Sequence, residues 1–548
     1  MRTRSILVYL PAYPFTFMNL MPNRSLASAA ACLIGAGHFT RIQDYGTLET
    51  LEQLASSPPS LRRLPTFPGR RRNGPGLRPT LEAFHRQVSR ELAAFPRTDF
   101  IAFYIEDRPA LAGAVQVSKR LREIKPDLKL VGFGPGTRLC GGTLLKTATA
   151  FDCLCLHDGG RALAQLADRI HAPQTWGTIP GLLIPAPGHP QTTPGPDTHS
   201  LVLLPGADYG PATYPALRSR TKLMLFTIED SHGCDFTCHG CPRGSARRPF
   251  VQTRPSAAVA DEVWRIGKEY GARAFHFCNA GSPAAQVKAV ACELMARHLT
   301  VWYSRAWHVR HTSPAALRAL TASGCRAVSF RIDTGSQRLL DDYYGRGFGV
   351  TETESVLRAS KAAGLFTVAR FTYPCPEDDT HTREETLRLL ERARPHSAPV
   401  AVPELLPGSA WDAHPENFGF RPHTERQLGA LLRRLQRDGA RGVPRGFMPR
   451  RIGVWTAVQA IRENASLRRT IEERGIPSTL PEDVALMAKF AGYDGREVAF
   501  ADMLGARLRN GDAAGAAAFV EGFNDAACVP ARELALRRLA PLRAAVGN

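Results

Sequence analysis

The first 170 residues alternate between short apolar runs and segments in which apolar positions recur at helical spacing. Helices are predicted over 25–38, which opens on a serine and closes on glycines, and over 81–95 and 110–124. This alternation predicts a doubly wound, Rossmann-like parallel sheet with helices on both faces. The predicted strands span 5–10, 39–44, 99–105, 128–133 and 151–156.

Ligands of doubly wound sheets bind beyond the carboxyl ends of the strands. Glycines and prolines at these ends would let a large planar ligand approach the backbone. A flavodoxin-like sheet that binds nothing is the alternative. The candidate ligand-binding residues are Pro11, Tyr13, Pro14, Glu106, Asp107, Gly134, Pro135, Gly136, Thr137, His157, Asp158 and Gly159.

The remaining chain divides into three stretches. Residues 171–220 are rich in proline and glycine and indicate an interdomain linker. Strands and helices alternate again over 221–420, which predicts a partial (β/α)6 barrel with its active site at the carboxyl strand ends. Residues 421–548 have helical periodicity and predict a helical domain that caps the barrel, or a purely packing appendage. The predicted barrel strands span 222–228, 273–278, 299–304, 326–332, 366–372 and 398–405.

Composition limits the classes of binding partner and the cellular compartment that we expect. The net charge is +20, but the basic clusters, such as 70–72 and 433–434, are short and lack interleaved aromatics, so we expect no nucleic-acid partner. No apolar run reaches the roughly 18 residues of a membrane span, and the opening apolar run is too short for a signal peptide. The 12 cysteines show no pairing pattern, which indicates a reducing compartment. We therefore predict a cytoplasmic monomer.

Three cysteines, Cys234, Cys238 and Cys241, lie within eight residues at C-x3-C-x2-C spacing. An odd number argues against a disulfide framework, and no fourth ligand lies nearby at zinc-ribbon spacing. A four-iron cluster held by three thiolates leaves one iron open, and this spacing suits that arrangement. A chance cluster in a loop is the remaining alternative.

The cysteine spacing resembles that of the radical S-adenosylmethionine (SAM) superfamily, and the order of parts resembles its cobalamin-dependent members, the class B methyltransferases. The strand leading into Pro11, the helix ending at 35–38 and the turn at 134–136 carry the likeness to a cobalamin-binding domain. The Asp-x-His-x-x-Gly signature is absent, which implies cobalamin held base-off without a histidine ligand. The resemblance implies a 4Fe–4S cluster on the three cysteines, cobalamin, SAM and an external electron donor.

The resemblance also assigns residues to SAM. Cys278 and Asn279 end the strand that contacts the SAM amino group in the family, and 331–336 resembles its Glu-Ser-Gly-Ser segment. The expected SAM-binding residues are Gly240, Cys278, Asn279, Arg305, Asp333, Gly335 and Ser336.

Three of these positions depart from the family pattern. Gly240 replaces an aromatic residue, Cys278-Asn279 replaces a Gly-Gly-Glu contact, and Asp333 replaces a glutamate. We therefore hypothesise membership in the thiopeptide tryptophan 2-C-methyltransferase subgroup, which methylates cobalamin from SAM without the adenosyl radical. Under this hypothesis Cys278 or Asn279 approaches the open iron, and detection of stoichiometric 5′-deoxyadenosine would refute it.

Further residues are candidates for cobalamin binding or catalysis because of their position alone. Arg71 lies in a basic run that suits the lower corrin face, although an exposed basic loop is the favoured alternative. Tyr303, His308 and His276 lie at predicted strand ends and are candidate bases for a polar methyl transfer, or ordinary pocket-wall residues.

Together these features predict a C-methyltransferase that moves a methyl group from SAM via methylcobalamin to a carbon of a small-molecule natural-product precursor, with tryptophan as one candidate. A non-methylating rearrangement or cyclisation enzyme with the same cofactors is the first alternative, and a corrinoid-binding sensor is another. A transfer-RNA methylthiotransferase is disfavoured, because the first-domain cysteines do not lie together at strand ends. These cysteines are Cys32, Cys140, Cys153 and Cys155.

Overall fold

The computed structural model describes residues 2–11, 15–55, 77–106, 108–147, 150–156, 159–186, 190–193, 206–219, 221–242, 250–438 and 448–528. The chain forms two compact units. The first contains Met1–Leu223, His423–Gly446 and Met503–Gly522, and the second contains Met224–Pro422, Phe447–Asp502 and Phe523–Asn548. The segment that the sequence assigns to one C-terminal domain is thus divided between the two units.

The strands are β1 Arg4–Tyr9, β2 Phe39–Asp44, β3 Phe100–Tyr104, β4 Lys129–Phe133, β5 Cys153–Cys155, β6 Leu182–Ile184, β7 Gln191–Thr192, β8 Leu225–Ile228, β9 Ser231–Cys234, β10 Phe250–Thr253, β11 Ala274–Phe277, β12 Trp302–Trp307, β13 Cys325–Asp333, β14 Phe366–Thr372, β15 Val400–Ala401, β16 Phe420–Arg421, β17 Arg451–Ile452 and β18 Trp455–Thr456.

The α-helices are α1 Phe17–Leu20, α2 Arg24–Gly35, α3 Leu48–Ala55, α4 Leu77–Ala94, α5 Arg108–Ile124, α6 Pro135–Thr147, α7 Gly159–Asp168, α8 Ser256–Tyr270, α9 Ala284–Ala296, α10 Pro314–Ala322, α11 Val350–Ala362, α12 Thr380–Ala393, α13 Ala410–Ala413, α14 Glu425–Asp438, α15 Ala457–Glu473, α16 Glu482–Phe490, α17 Glu497–Asn510 and α18 Ala513–Ala527. The segment predicted to be helical beyond residue 529 lies outside the described residues.

The first unit is built on a sheet of order β2-β1-β3-β4-β5-β6-β7. Its first five strands are parallel, and helix α2 packs on α7 while α4 packs on α5, which confirms the predicted doubly wound fold. The strand order reverses between β1 and β3, and this is where such sheets bind ligands. The linker prediction was incomplete, because β6 and β7 extend this sheet in antiparallel fashion. The apolar sequence of β6 explains this, since burial favours a strand there.

A buried ion pair fastens the end of the linker to this sheet. Lys222 and Asp44 are completely buried, and their Nζ and Oδ2 atoms lie 2.7 Å apart. Lys222 also donates to the carbonyl oxygens of Asn19 and Gly46, and the Tyr214 hydroxyl donates to Asp44. The charges are therefore paired and hydrogen-bonded, as burial requires.

The second unit is built on a parallel sheet of order β15-β14-β13-β12-β11-β8, with helices α8 to α12 along the connections. The six predicted strands are all present, and the partial-barrel prediction is confirmed.

The two faces of this second sheet differ. The Tyr303 hydroxyl lies 2.7 Å from the Ser323 hydroxyl, at the end of α10. Because side chains alternate along a strand, His276 and Ser304 point to the opposite face, which we call the inner face.

Helix α16 covers part of the inner face, where it packs on β12, β13 and β14. Its residues from Glu482 to Ala488 are buried without interruption. Not all of the C-terminal segment is helical, since β16, β17 and β18 form a small antiparallel sheet. Gly453, in the left-handed region at φ +56°, makes the turn between β17 and β18 that helical periodicity does not reveal. None of the helices in the described part combines the length and apolar character that crossing a membrane requires.

Candidate active site

The three cysteines follow the first strand of the second sheet. After β8 ends at Ile228, β9 leads to Cys234 and pairs with β10. Cys238 is buried, whereas Cys234 and Cys241 are partly exposed. Residues 234–241, here called the cysteine loop, therefore lie at the carboxyl end of β8, the edge where parallel sheets place their chemistry.

A buried polar network holds the start of this loop. Asp230 accepts a hydrogen bond of 2.8 Å from Nη2 of Arg305, and both side chains are almost fully buried. Asn279 donates from Nδ2 to the carbonyl and hydroxyl oxygens of Ser231, at 2.7 Å each. The Ser282 hydroxyl donates to Asp230 at 2.7 Å. In this structure Arg305 and Asn279, both predicted to bind SAM, brace the cysteine loop, and their SAM contacts remain predictions.

Close backbone packing positions Cys234. A Cβ atom on Gly281 would lie 2.8 Å from the Gly233 carbonyl oxygen and 2.9 Å from Sγ of Cys234. Only a glycine therefore allows this approach of the segment after β11 to the cysteine loop. The neighbouring Cys278 is exposed, and its backbone N–H donates to the Ile228 carbonyl oxygen at 3.1 Å.

The thiols influence one another electrostatically. Burial, together with nearby Cys238 and Cys241, raises the pKa of the Cys234 thiol to about 11. Nη1 of Arg346 lies 3.5 Å from Sγ of Cys238, which places a guanidinium beside this thiol. Iron binding would displace protons from these thiols.

The residues present fit a four-iron cluster. Within the described residues, no three His, Cys, Asp or Glu side chains converge as they would around one metal ion. A cluster needs no such convergence, because each thiolate binds a different iron. Three thiols lie on one loop, as ligands of one cluster must. Arg346 places a positive charge beside Cys238, and the absence of a side chain on Gly281 leaves Cys234 its space.

Asp333 ends β13 in the left-handed region at φ +73°. Its Oδ1 accepts from the Thr372 hydroxyl at 2.6 Å, and its Oδ2 accepts from Nη2 of Arg346. An unfavourable backbone conformation at a buried aspartate persists only where its surroundings impose it, often at functional sites. Asp333 thus orients Arg346 toward the cysteine loop, and direct SAM binding by Asp333 remains a prediction.

Gly335 and Ser336 continue this turn in tight packing against α12. The Gly335 N–H donates to the Thr386 hydroxyl at 2.9 Å, and a Cβ atom on Gly335 would lie 2.5 Å from Cα of Thr386. The Ser336 N–H donates to the Thr334 hydroxyl at 3.2 Å. These contacts account for the glycine and the serine structurally, and neither residue is thereby assigned to SAM.

Two aromatic side chains from other segments, His308 and Trp411, contact the cysteine loop. The ring of Phe236 stacks on His308 at a centroid distance of 3.7 Å and an interplanar angle of 12°. A Cβ atom on Gly240 would lie 2.9 Å from the Trp411 indole. Trp411 therefore supplies, from a distant segment, the aromatic neighbour that position 240 itself lacks.

The three candidate bases occupy different environments. Tyr303 lies on the face opposite the inner face, and burial raises the pKa of its hydroxyl far above the ordinary value, which argues against a role as a base. Burial, with Arg346 nearby, lowers the pKa of His308 to about 3, so its ring is neutral. His276 lies on the inner face, where its Nδ1 is 2.9 Å from the Ser304 hydroxyl. The catalytic roles of all three remain predictions.

Charged residues surround His276. Burial opposes ionisation of Glu482, but Arg370 and His276 outweigh it, so the pKa of Glu482 lies below its ordinary value. Burial and the neighbouring Glu482 raise the pKa of Asp483. Arg370 donates to Glu482, and about two fifths of the Arg370 side chain is exposed, while that of Arg331 is 53% exposed. The inner face therefore presents His276 beside a buried acidic pair, together with two partly exposed arginines.

In the first unit, Tyr9 and Glu106 meet where the strand order reverses. The Tyr9 hydroxyl donates to Glu106 at 3.1 Å and accepts from Nδ2 of Asn19 at 2.8 Å. This places polar groups at the carboxyl ends of β1 and β3, the expected ligand position. Pro11 follows β1 and is partly exposed.

The glycines predicted to approach a ligand have close protein neighbours. Cβ atoms on Gly134, at φ +103°, and on Gly136 would lie 2.7 and 2.9 Å from the Ile105 carbonyl oxygen. A Cβ atom on Gly159 would lie 2.6 Å from the Phe133 ring, and the buried Thr137 hydroxyl donates to the Cys155 carbonyl oxygen at 2.7 Å. Packing alone explains these residues, so cobalamin binding by them and by Pro135 remains a prediction. Tyr13, Pro14, Arg71, Asp107, His157 and Asp158 lie outside the described residues.

Residues 228–390 match the profile of the radical SAM superfamily. This stretch is a radical SAM domain. The radical SAM domain contains the cysteine loop, β11 to β14 and the turn at Asp333. No curated protein sequence matches the chain.

Two solved structures extend the likeness of the radical SAM domain to most of the chain. The radical SAM methyltransferase TsrM from Kitasatospora setae, with cobalamin and a 4Fe–4S cluster bound, is 15% identical, with a TM-score of 0.66, coverage of 94% of this chain and 100% of that chain. The cobalamin-dependent SAM radical enzyme OxsB, with aqua-cobalamin and SAM bound, is 13% identical, with a TM-score of 0.59 and coverage of 99% and 80%. At these identities the likeness shows a shared fold, which agrees with the predicted architecture.

Asp230, Arg346 and Trp411 contact the cysteine loop or its start but were not predicted from the sequence. Arg346 stands between two glycines after a helical stretch, and Trp411 follows the Pro-Gly-Ser turn at 407–409. The flanking glycines of Arg346 and the turn before Trp411 were the available signals in the sequence. Neither signal reveals that these residues contact the cysteine loop, which lies more than 100 positions away. Only the fold brings these side chains to the cysteine loop.

Proposed function

We propose that the chain is a cobalamin-dependent radical SAM methyltransferase that methylates a carbon of a small molecule. The observation that carries the proposal is the cysteine loop, which lies at the carboxyl end of β8 inside a radical SAM domain. The shared fold with TsrM over 94% of the chain supports the assignment of cobalamin to the first unit.

Cys234, Cys238 and Cys241 would hold the 4Fe–4S cluster, and Asp230, Asn279 and Arg305 would keep their loop in place. Cobalamin would bind beyond β1 and β3, near Pro11, Tyr9 and Glu106. When bound, cobalamin supplies a cobalt that carries the methyl group between SAM and the acceptor. An external reductant would keep the metal centres in their active oxidation states.

The inner face of the second sheet supports an acceptor that carries a carboxylate. Arg331 is more than half exposed there, and the N–H groups that do not face Asp333 can donate to an anion, whereas Arg370 is already paired with Glu482. Replacing hydrogen by methyl at carbon releases a proton, and Nε2 of His276 is suited to receive it while Nδ1 contacts Ser304. Tryptophan, the substrate named for TsrM, is the first acceptor to test.

The proposal is tested by purifying the protein anaerobically with cobalamin supplied and the cluster reconstituted, and by measuring iron and cobalt per chain. About four irons and one cobalt are expected. Iron without cobalt would remove the methyl-carrier role, and protein without iron would overturn the proposal.

Turnover is then followed with trideuteromethyl-SAM and tryptophan, with tryptamine as the matched acceptor that lacks a carboxylate. We expect tryptophan to give a product that carries a trideuteromethyl group, and tryptamine to give little of the corresponding product. Deoxyadenosine without methylated product would instead favour the rearrangement or cyclisation reaction. Methylation without deoxyadenosine would favour the non-radical subgroup.

A further inference from the structure

Two arginines occupy neighbouring positions on the inner face of the second sheet. Arg331 of β13 and Arg370 of β14 are register partners, and each lies two residues before the end of its strand. Arg370 pairs with Glu482 of α16, the helix that packs on this face, and the Ser329 hydroxyl also hydrogen-bonds to Glu482. Side chains two residues apart on a strand share a face, so Arg331 lies on the same face as Ser329. Both arginines therefore belong to the edge where such sheets bind ligands.

The ion pairs of the two arginines are unequal. Arg370 donates from Nη2 to Glu482, whose side chain is almost fully buried. Nε of Arg331 lies 3.8 Å from Oδ1 of Asp333, which is beyond hydrogen-bond distance, and Asp333 already accepts from Arg346. Like charges on strands about 5 Å apart repel each other. An anion bound between Arg331 and Arg370 would be stabilised by both.

Both arginines keep N–H groups that a ligand can reach. The side chains of Arg331 and Arg370 are 53% and 39% exposed. Glu482 engages Arg370 through Nη2, which leaves Nε and Nη1 to donate elsewhere. A guanidinium presents its donors as a planar fork, and this shape matches the two oxygens of a carboxylate.

Glu482 fixes the direction of Arg370. It lies in the first turn of α16, and the packing of α16 on β12, β13 and β14 holds it in place. Burial opposes ionisation of Glu482, but Arg370 outweighs it, so the pKa of Glu482 lies below its ordinary value and the carboxylate is charged. Burial and Glu482 raise the pKa of the neighbouring Asp483, which therefore competes less for the arginines than an exposed aspartate would.

We propose that Arg331 and Arg370 bind the carboxylate of the methyl acceptor between them, and that Glu482 is a positioning residue that directs Arg370 toward it. This rests on the proposed function, because it concerns the acceptor of the same reaction. Recognition then depends on two strands of the sheet and on a helix from the C-terminal segment. An acceptor that lacks the carboxylate should bind weakly.

The test measures dissociation constants of tryptophan and tryptamine by calorimetry. The reconstituted protein holds S-adenosylhomocysteine, which has no methyl group to donate, in place of SAM. Arg331→Met and Arg370→Met should each weaken tryptophan binding about tenfold to a hundredfold, because charge-assisted hydrogen bonds are lost, and leave tryptamine binding unchanged. Arg358→Met is the matched control, since Arg358 is 63% exposed on α11 beside Glu354, and it should change neither constant. Because Arg331 is more than half exposed, its replacement should leave the fold intact.

Glu482→Gln tests the positioning role. It keeps the shape of the side chain but removes the charge that holds Arg370, so we expect tryptophan binding to weaken about threefold to tenfold. In turnover, KM for tryptophan should rise more than kcat falls, and Glu482→Asp, which keeps a carboxylate, should recover part of the affinity. Glu354→Gln removes a carboxylate that pairs with Arg392 at 2.7 Å between α11 and α12, and this control should leave tryptophan binding unchanged.

The outcomes separate this inference from the proposed function. Wild-type protein that holds no iron refutes both. With iron and cobalt present, equal binding of tryptophan and tryptamine, or binding of neither, refutes the inference alone. Weaker binding of S-adenosylhomocysteine but not of tryptophan in the arginine variants would assign the carboxylate to SAM and overturn the acceptor assignment. Unchanged tryptophan binding in Glu482→Gln, beside weakened binding in Arg370→Met, would overturn the positioning role.

Discussion

At the residue scale, the proposed chemistry of the second unit depends on three thiols and the charges beside them. Cys238 is buried next to Arg346, whereas Cys234 has the thiol whose pKa is raised to about 11. Asp333 holds Arg346 from a strained backbone conformation. Side chains from other segments of the second unit therefore surround the three thiols.

Replacing Cys238 with serine should abolish iron retention, because a hydroxyl is a poor iron ligand and two thiolates do not hold a four-iron cluster. Iron per chain after reconstitution measures this. Cys292→Ser, at an exposed position of α9, is the matched control and should keep the wild-type iron content. Four irons in Cys238→Ser would show that this cysteine is not a ligand.

Replacing Lys222 with methionine should destabilise the first unit by about 3–5 kcal/mol, because it leaves Asp44 buried and unpaired. Urea denaturation followed by circular dichroism measures this. Lys146→Met removes a partly exposed pair with Glu425 in the same unit and should cost at most about 1 kcal/mol. Equal effects of the two substitutions would contradict the buried-pair argument.

At the element scale, the ends of strands and the glycines next to them determine where functional groups lie. The cysteine loop follows β8 and β9, and the segment after β11 approaches it through Gly281. Helix α16 closes part of the inner face with acidic residues at its start. These placements follow from strand register and close packing.

Replacing Gly281 with alanine should displace the cysteine loop, because the new Cβ would lie within 3 Å of Gly233 and Cys234. Overpacking of this kind costs about 1–3 kcal/mol, and we expect less iron per chain together with a lower thermal midpoint. Gly142→Ala on α6, which meets no atom within 4 Å, is the control and should not lower either quantity. Full iron content in Gly281→Ala would mean that the loop adapts.

Helix α4 contains a pH-sensitive residue. Burial, with Arg120 nearby, lowers the pKa of His85 to about 4. Between pH 6.5 and 4 the unfolded chain binds a proton that the folded chain does not, so the free energy of unfolding should fall by about 1–3 kcal/mol as the pH decreases. His85→Gln should lose this dependence, measured by denaturation at several pH values, whereas exposed His171→Gln should keep it. An unchanged slope in His85→Gln would show that other groups cause it.

At the scale of the whole molecule, the chain combines a flavodoxin-like sheet with a radical SAM domain. The residues beyond 422 are shared between the two units rather than forming a third. Each unit has its own core and its own candidate ligand. Each ligand should therefore stabilise the unit that binds it.

Removing the cluster with an iron chelator should lower the thermal midpoint of the second unit by several degrees, because a group that binds only the folded state stabilises it. Hydrogen exchange with peptide resolution separates the two units in this measurement. Protection should decrease around the cysteine loop and β13, while β1 to β5 are the internal control. An equal loss of protection in both sheets would argue that the cluster supports the whole chain.

The sequence alone determined the doubly wound sheet, the six strands of the partial barrel and the three candidate iron ligands. These are local signals, because apolar periodicity fixes strands and helices and ligand spacing lies within eight residues. Tertiary structure decided what surrounds those ligands. Arg346 and Trp411 reach the cysteine loop from more than 100 residues away, Asn279 and Arg305 brace it, and helix α16 enters the inner face. Such contacts depend on how strands associate and pack, which no local pattern records.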